Sequence, residues 1–217
     1  MGLIDQLNDL MLDIGVNYAI CGGFAIDLFL GCKTRAHKDL DVSVYWEDRD
    51  RIIKHMLDSG WDIYEPCGDS LGRLHKISSI SDQKRARSNV WCVKPGNAHY
   101  KFTKHEKDMF AVEFDGSEQA EFDFVELLFN TKSDGYFLHA RNHDIKMPMN
   151  DAIIKIGNTP CLAPEMALLY KSTAADNAEY QLDFEIAWTK MNEMQRAWLK
   201  KSLAVMFSDG HKWLEER

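Results

Sequence analysis

Two glycines followed at a set distance by two aspartates constrain this chain more than any other feature of its 217 residues. Tyr18-Ala19-Ile20-Cys21 is a short apolar run suited to a strand, and it ends at Gly22-Gly23. Phe24 to Leu30 is apolar on more than one side and stops at Gly31, as a helix packed deep against a sheet does. After a polar loop, Asp39 to Trp46 alternates as a strand does. Asp39 lies sixteen positions after Gly23, and the intervening helix has the length to return the second strand beside the first. Leu3, Leu7, Leu10, Met11 and Ile14 recur at helical spacing before Gly15, and residues 48 to 58 return to it before Gly60-Trp61. The first sixty residues therefore read helix, strand, helix, strand, helix.

Residues i and i+2 of a strand point to one side, so Asp39 and Asp41 project together and can share one or two divalent cations. Paired oxygen ligands favour magnesium. Glycines at a strand-to-helix junction let the backbone approach phosphates, and the helix N-terminus adds free N–H groups and a partial positive charge. Such parts can hold a metal-bound triphosphate, and transfer of a phosphoryl or nucleotidyl group then needs alignment and charge neutralisation rather than covalent catalysis.

The ungapped segment from Ala19 to Val42, with its Gly-Gly, helix, Gly and Thr34-Arg35-Ala36-His37-Lys38-Asp39-Leu40-Asp41, resembles the polymerase-beta-like nucleotidyltransferases. It is most similar to the small bacterial aminoglycoside and lincosamide nucleotidyltransferases. Weaker similarity runs through Val90-Trp91-Cys92, Leu127 to Arg141 and Leu162 to Lys171. The resemblance implies that Gly22 and Gly23 touch the triphosphate and that Asp39 and Asp41 bind magnesium. It also implies an α+β fold, with a mixed twisted sheet flanked by helices and a C-terminal helical subdomain. A third carboxylate is expected from a later strand, here Glu121 to Leu128, which offers Asp123 and Glu126. These two are three apart, so a regular strand turns them to opposite sides. The family layout of an acid four residues before an Asn, with an Arg further on, matches Glu126, Asn130 and Arg141. An inward Asp123 would instead align Glu121, Val125 and Leu127 and leave Phe122 and Phe124 for a core. Both acids stay candidates for completing the metal site or taking the acceptor's proton.

Arg35 has two readings: a planar fork for a phosphate, or a neutralising partner of the aspartates. His37 either orients the loop or plays a structural part. Lys171 either reaches the triphosphate or is a solvated helix lysine. Asp183 reads as structural, capping or pairing with a nearby basic residue. The tryptophans at 188, 198 and 213, with Met191 and Met194, read as core.

From residue 61 to 158, short runs rich in Val, Ile, Phe, Tyr and Trp alternate with Gly, Asn, Asp and Pro, which suits strands and turns. Within this region residues 80 to 107, including Lys104-His105-Glu106-Lys107, are polar and read partly as loop. After Pro160 and Pro164 a helical tract runs through Phe184 and Trp198 to Phe207. The expected division is a nucleotidyltransferase domain over 1–158 and a helical subdomain over 159–217.

A net charge of -8 argues against a broad nucleic-acid footprint and suits a cationic acceptor. The basic run Lys84-Arg85-Ala86-Arg87 is short and reads as a solvated loop. No stretch has the apolar length to cross a bilayer, and the N-terminus lacks a secretory pattern, so a cytoplasmic protein is expected. Five scattered cysteines, Cys21, Cys32, Cys67, Cys92 and Cys161, without a Cys-x-x-Cys pair read as reduced thiols. The expected reaction is magnesium-dependent transfer of a nucleoside monophosphate, AMP from ATP or the counterpart from another nucleoside triphosphate, to a hydroxyl of a small molecule such as an aminoglycoside or lincosamide. Small enzymes of this kind often dimerise, which makes a homodimer one candidate and leaves the oligomeric state open. Relatives that modify RNA or protein, and a non-catalytic nucleotide binder, are the alternatives. A phosphatase with an aspartyl nucleophile would need an apolar strand where Arg35 to Lys38 stand, and would leave Gly22-Gly23 unexplained.

Overall fold

A computed structural model describes residues 2–68, 72–97, 99–106, 108–114 and 121–215. The chain opens with α1 (Leu3–Ile14), β1 (Ala19–Ile20), α2 (Gly22–Leu30), β2 (Asp41–Tyr45) and α3 (Arg49–Asp58), the alternation expected from the sequence. Strands β3 (Asp62–Pro66), β4 (Leu74–Ile77), β5 (Asn89–Val93), β6 (Tyr100–Glu106), β7 (Met109–Phe114) and β8 (Phe124–Ser133) follow. Then come β9 (Tyr136–Leu138), β10 (Lys146–Pro148), the single turn α4 (Met149–Ala152), β11 (Ile153–Ile156) and β12 (Thr159–Leu162). The chain ends in α5 (Pro164–Lys171), α6 (Ala178–Lys190), α7 (Glu193–Met206) and α8 (Lys212–Glu215). No helix among the described residues is long and apolar enough to cross a membrane.

The chain divides into two compact units, each interrupted in sequence. The first comprises 1–18 and 36–130, and the second comprises 19–35 and 131–217. The C-terminal helices therefore belong to a unit that also holds α2 and the short strands.

In the first unit the strands are hydrogen-bonded in the order β2, β8, β5, β3, β4, β7, β6. The β2–β8 pair is parallel and the rest are antiparallel, so this is a mixed sheet in an α+β fold. Alternation decides what each face carries. Val42 and Val44 on β2, Val125, Leu127 and Phe129 on β8, Val90 and Cys92 on β5, and Ile63 on β3 share one parity and are buried. Two helices complete this core: α1 contributes Leu7, Met11 and Ile14, and α3, which packs on β3 and on α1, contributes Ile52, Ile53 and Met56. The opposite parity brings Asp41, Glu126, Trp91 and Tyr64 into one row across four strands.

The aromatic end of that row joins an apolar cluster on the second face, made of Tyr64, Leu74, Val93 and Phe124 with Trp91, Tyr100, Phe102, Phe110 and Val112 packed against it. Tyr64 stacks on Phe102 at 4.2 Å, and Tyr100 stacks on Phe124 at 4.0 Å. The polar stretch 80–107 is thus not simply loop: residues 89–93 and 100–106 are strands, ordered by aromatic side chains between polar neighbours. Lys107 lies outside the described residues.

In the second unit β1 pairs in parallel with β12, which pairs antiparallel with β11, while β9 pairs with β10 and with residues 131–133. Helix α5 packs against α2, α6 and α7. Its residues from Pro164 to Leu169 are all buried, which explains why no single face of it is polar. Trp188, Met191 and Trp213 are buried as expected, but Met194 is 79% exposed at the start of α7. All five cysteines are free thiols, with Cys32 exposed.

Helix α1 offers a test of the first core, because Leu7 is 0% and Leu12 80% exposed. Leu7→Ala is expected to cost about 2–5 kcal/mol and Leu12→Ala less than about 0.5 kcal/mol, read from chemical denaturation.

Candidate functional site

Three carboxylates of the first unit converge. Asp39 stands in the bend just before β2, Asp41 is the first residue of β2, and Glu126 is on β8. One oxygen from each lies within 4.8 Å of the others. The convergence follows from register: in the parallel pair Asp41 faces Glu126 directly, and the Glu126 amide donates to the Leu40 carbonyl at 3.0 Å, fixing β8 against the approach to β2. Asn130 strengthens the same pairing by donating to Ser43 Oγ at 2.9 Å.

Two donors from β5 orient Glu126. Asn89 Nδ2 donates to Glu126 Oε1 at 2.6 Å, and the Trp91 indole N–H donates to the same oxygen at 3.2 Å. Burial raises the Glu126 pKa above its ordinary value and the Asp39 charge adds to the shift, against the Asn89, Trp91 and Asp41 hydrogen bonds. The Tyr100 hydroxyl is also pushed up, first by burial and then by the charges of Asp39, Glu126 and Asp41. The aromatic cluster therefore borders the acids.

The donor set fits magnesium, a hard cation that prefers carboxylate oxygens in octahedral geometry. At metal–oxygen distances of about 2.0–2.1 Å, adjacent ligand oxygens stand about 3 Å apart and opposite ones about 4 Å. Carboxylate oxygens already within 4.8 Å of one another need only small side-chain movements to meet that requirement.

Asp123 occupies the turn preceding β8 and is not one of the clustered carboxylates. Strand alternation does not relate it to Glu126, because the strand begins at Phe124. Its pKa is raised by burial and by the nearby Glu121. Phe124 shares the Glu126 face, and the aromatics of β6 and β7 cover it there. Counting apolar residues as inward therefore points to the wrong face of this strand. His37 is buried at 3% exposure, and Lys38 places Nζ 5.6 Å from the Phe114 ring centre.

Gly22, Gly23, Arg35 and Lys171 belong to the second unit. Gly22 has φ 63°, where a side chain is strained, and opens α2 after the extended Cys21. At the other end of α2, the Thr34 amide and hydroxyl donate to Asp27 Oδ1 at 3.0 and 2.6 Å, which pins the loop carrying Arg35. Arg35 donates through Nε and Nη2 to Asp183 at 3.2 and 3.1 Å, and Nη1 pairs with Glu179 at 3.0 Å. Lys171 is not a solvated helix lysine: it is 7% exposed and pairs with Asp183 at 2.9 Å. Asp183 is the paired acid expected from sequence, with two cations on it. Arg141 donates to the Tyr170 carbonyl at 2.8 Å and to Thr173 at 2.7 Å, a brace between segments of this unit.

Asn89, Trp91 and Tyr100 are the residues near the acids that sequence reasoning does not single out. The available signal is Val90-Trp91-Cys92, whose alternation points Trp91 away from the buried face; its pairing with Glu126 requires the β5–β8 register.

Residues 3–68 match the model of the aminoglycoside-2''-adenylyltransferase family. No curated protein matches the sequence significantly. Among solved structures, the chain is similar to the antibiotic-resistance factor ANT(2'')-Ia determined in solution, with TM-score 0.55 and 14% identity over 95% of this chain and 91% of that one. A crystal structure of ANT(2'')-Ia with adenylyl-2''-tobramycin gives TM-score 0.53 and 13% identity, covering 94% and 97%. The lincosamide antibiotic adenylyltransferase LnuA, bound to lincomycin, gives TM-score 0.51 and 15% identity, covering 87% and 96%. At these identities the likeness establishes the fold, which is the one the Ala19–Val42 segment resembles.

The raised Glu126 pKa has a thermodynamic consequence. Its folded form binds a proton more tightly than the unfolded chain, so without divalent cations this contribution to stability is complete below the ordinary glutamate pKa. It is lost as pH rises through the folded value. Thermal melts in chelator are expected to show that loss, and magnesium is expected to offset it at neutral pH; Glu126→Gln should flatten both responses. Trp91→Phe, which removes one donor to Glu126 and keeps an aromatic ring, is expected to weaken magnesium binding about tenfold by calorimetry.

Proposed function

We propose that this chain, whose fold is that of the antibiotic nucleotidyltransferases, transfers AMP from ATP to a hydroxyl of an aminoglycoside or lincosamide. The observation that carries this reading is the convergence of Asp39, Asp41 and Glu126 within 4.8 Å. The match of residues 3–68 to an adenylyltransferase family supports the nucleotide and the acceptor class.

In this reading Asp39, Asp41 and Glu126 hold magnesium, with Glu126 as the third carboxylate, and Asp123 is given no step. When bound, magnesium neutralises charge developing on the phosphates. Gly22 and Gly23 offer backbone N–H groups to phosphate oxygens, and Arg35 and Lys171 supply positive charge toward them. The acceptor oxygen forms a bond to the α-phosphorus while the bond from that phosphorus to the bridging oxygen of pyrophosphate breaks. The hydroxyl proton leaves to a carboxylate of the cluster, and pyrophosphate departs with the electron pair.

Carboxylates oriented by neutral donors suit this task, because Asn89 and Trp91 fix the direction of Glu126 without adding positive charge that would compete with a cation. The net charge of -8 suits a polycationic acceptor, which long-range attraction draws to the protein.

Incubation with magnesium, labelled ATP and a panel of aminoglycosides and lincosamides is expected to give an adenylylated product and pyrophosphate. Asp41→Asn should reduce turnover by more than the roughly 10–100-fold that loss of an outer-shell partner costs. Its metal-free melting temperature should hold or rise, since a repelling charge is removed. A folded protein that neither binds ATP nor transfers its nucleotide, or an Asp41→Asn variant with full activity, would overturn the reading.

A further inference from the structure

Helix α6 presents two acids to Arg35, one of which also holds Lys171, and the two differ in access to water. Asp183 is 0% exposed and holds both Arg35, through Nε and Nη2, and Lys171, through Nζ. Glu179, one turn earlier on α6, meets the remaining Arg35 nitrogen, Nη1, at 3.0 Å with its own side chain 46% exposed. The Arg35 and Lys171 side chains are 15% and 8% exposed. Tyr180, between the two acids in sequence, sets its ring centre 4.3 Å from Lys171 Nζ, which further confines the ammonium.

A single carboxylate facing two cations leaves one positive charge in a region with little water. Glu179 supplies most of the balancing charge, ahead of the smaller contribution of Asp27. The two acids are unequally removable: parting Asp183 from its partners strands charges away from solvent, whereas an acid half in water exchanges its partner for solvent at little cost. The Arg35 fork is thus fixed along one edge and held reversibly along the other. A phosphate oxygen is the same kind of acceptor as the carboxylate oxygen now at Nη1.

We infer that Asp183 is a positioning residue that sets Arg35 and Lys171 as a rigid cationic pair, and that Glu179 is an internal counter-ion which the triphosphate displaces from Arg35. The inference rests on the nucleotidyltransferase reading above and adds to it a built-in competitor for the phosphate. Glu179 neutralises the pair in the nucleotide-free protein, so that isolated anions meet an occupied guanidinium edge. A polyphosphate, with several oxygens acting together, can replace it. The affinity for nucleotide is then set by a difference between two anions rather than by the cations alone.

Inorganic tripolyphosphate, titrated by calorimetry without divalent cations into the full chain, probes this cluster apart from the magnesium ligands. Glu179→Gln is expected to bind about two- to fivefold more tightly than wild type, the loss of one exposed competing charge. Asp183→Asn is expected to bind at least about tenfold more weakly. A purely structural role for α6 would not tighten binding on removal of an acid, so opposite signs in the two variants are the signature. Equal or weaker binding by folded Glu179→Gln overturns the counter-ion role, and wild-type affinity in folded Asp183→Asn overturns the positioning role. Should Asp183→Asn not fold, the exposed Glu179→Gln substitution tests the inference alone. ATP with magnesium, titrated in parallel, separates the two readings. Its failure to bind folded wild type removes the nucleotidyltransferase assignment and this inference with it, while normal ATP binding with no difference among the variants removes only this inference.

Discussion

Three carboxylates repel one another, and backbone pairing brings them within 4.8 Å in this protein. The parallel register of β2 and β8 sets Asp41 opposite Glu126, and the Leu40–Glu126 backbone bond carries the same alignment to the residue beside Asp39. A one-residue slip in that pairing would turn Glu126 to the buried face and put Val125 or Leu127 beside the aspartates. Val125, Leu127 and Phe129 oppose such a slip, because all three would leave the core they share with Val42 and Val44. The hydrophobic core thus fixes the geometry of the charged site.

The same sheet also shows how a polar site coexists with an apolar face. The row from Asp41 through Glu126 and Trp91 to Tyr64 passes from carboxylate to aromatic within four strands. Trp91 joins the two regimes: its ring packs against Phe124 at 5.6 Å while its N–H serves Glu126. Burial next to those rings raises the proton affinity of Glu126, and a divalent cation would reverse that preference by favouring the ionised form. In the second unit, charge is arranged the opposite way: two cations share the buried Asp183, with Glu179 at the solvent edge. One cluster has the charge to attract a cation and the other the donors to meet an anion.

Much of this was legible in the residues themselves. The helix–strand–helix–strand–helix opening follows from apolar spacing and its glycine stops, and the observed β2 starts at Asp41, two residues later than alternation suggests. The Asp39–Asp41 pair was visible because its members are near neighbours. Choosing between Asp123 and Glu126 was harder, since alternation favours whichever face is assumed buried, and here both faces of β8 carry buried apolar residues. The second face is covered by β6 and β7, strands whose Lys, Thr, His and Glu residues hide their pairing in a single-sequence reading. Lys171 and Arg35 are likewise ambiguous until Asp183, distant from Arg35 in sequence, is seen to hold both.

The proposed metal-dependent nucleotidyl transfer stands on the carboxylate cluster, and its central claim is that one cation binds all three acids. A crystal soaked with manganese and a nonhydrolysable triphosphate, with anomalous diffraction recorded, tests that claim most directly. The account expects an anomalous peak in coordination contact with Asp39, Asp41 and Glu126. A fully soaked crystal with no peak there, or with a peak bound by other residues, would contradict it.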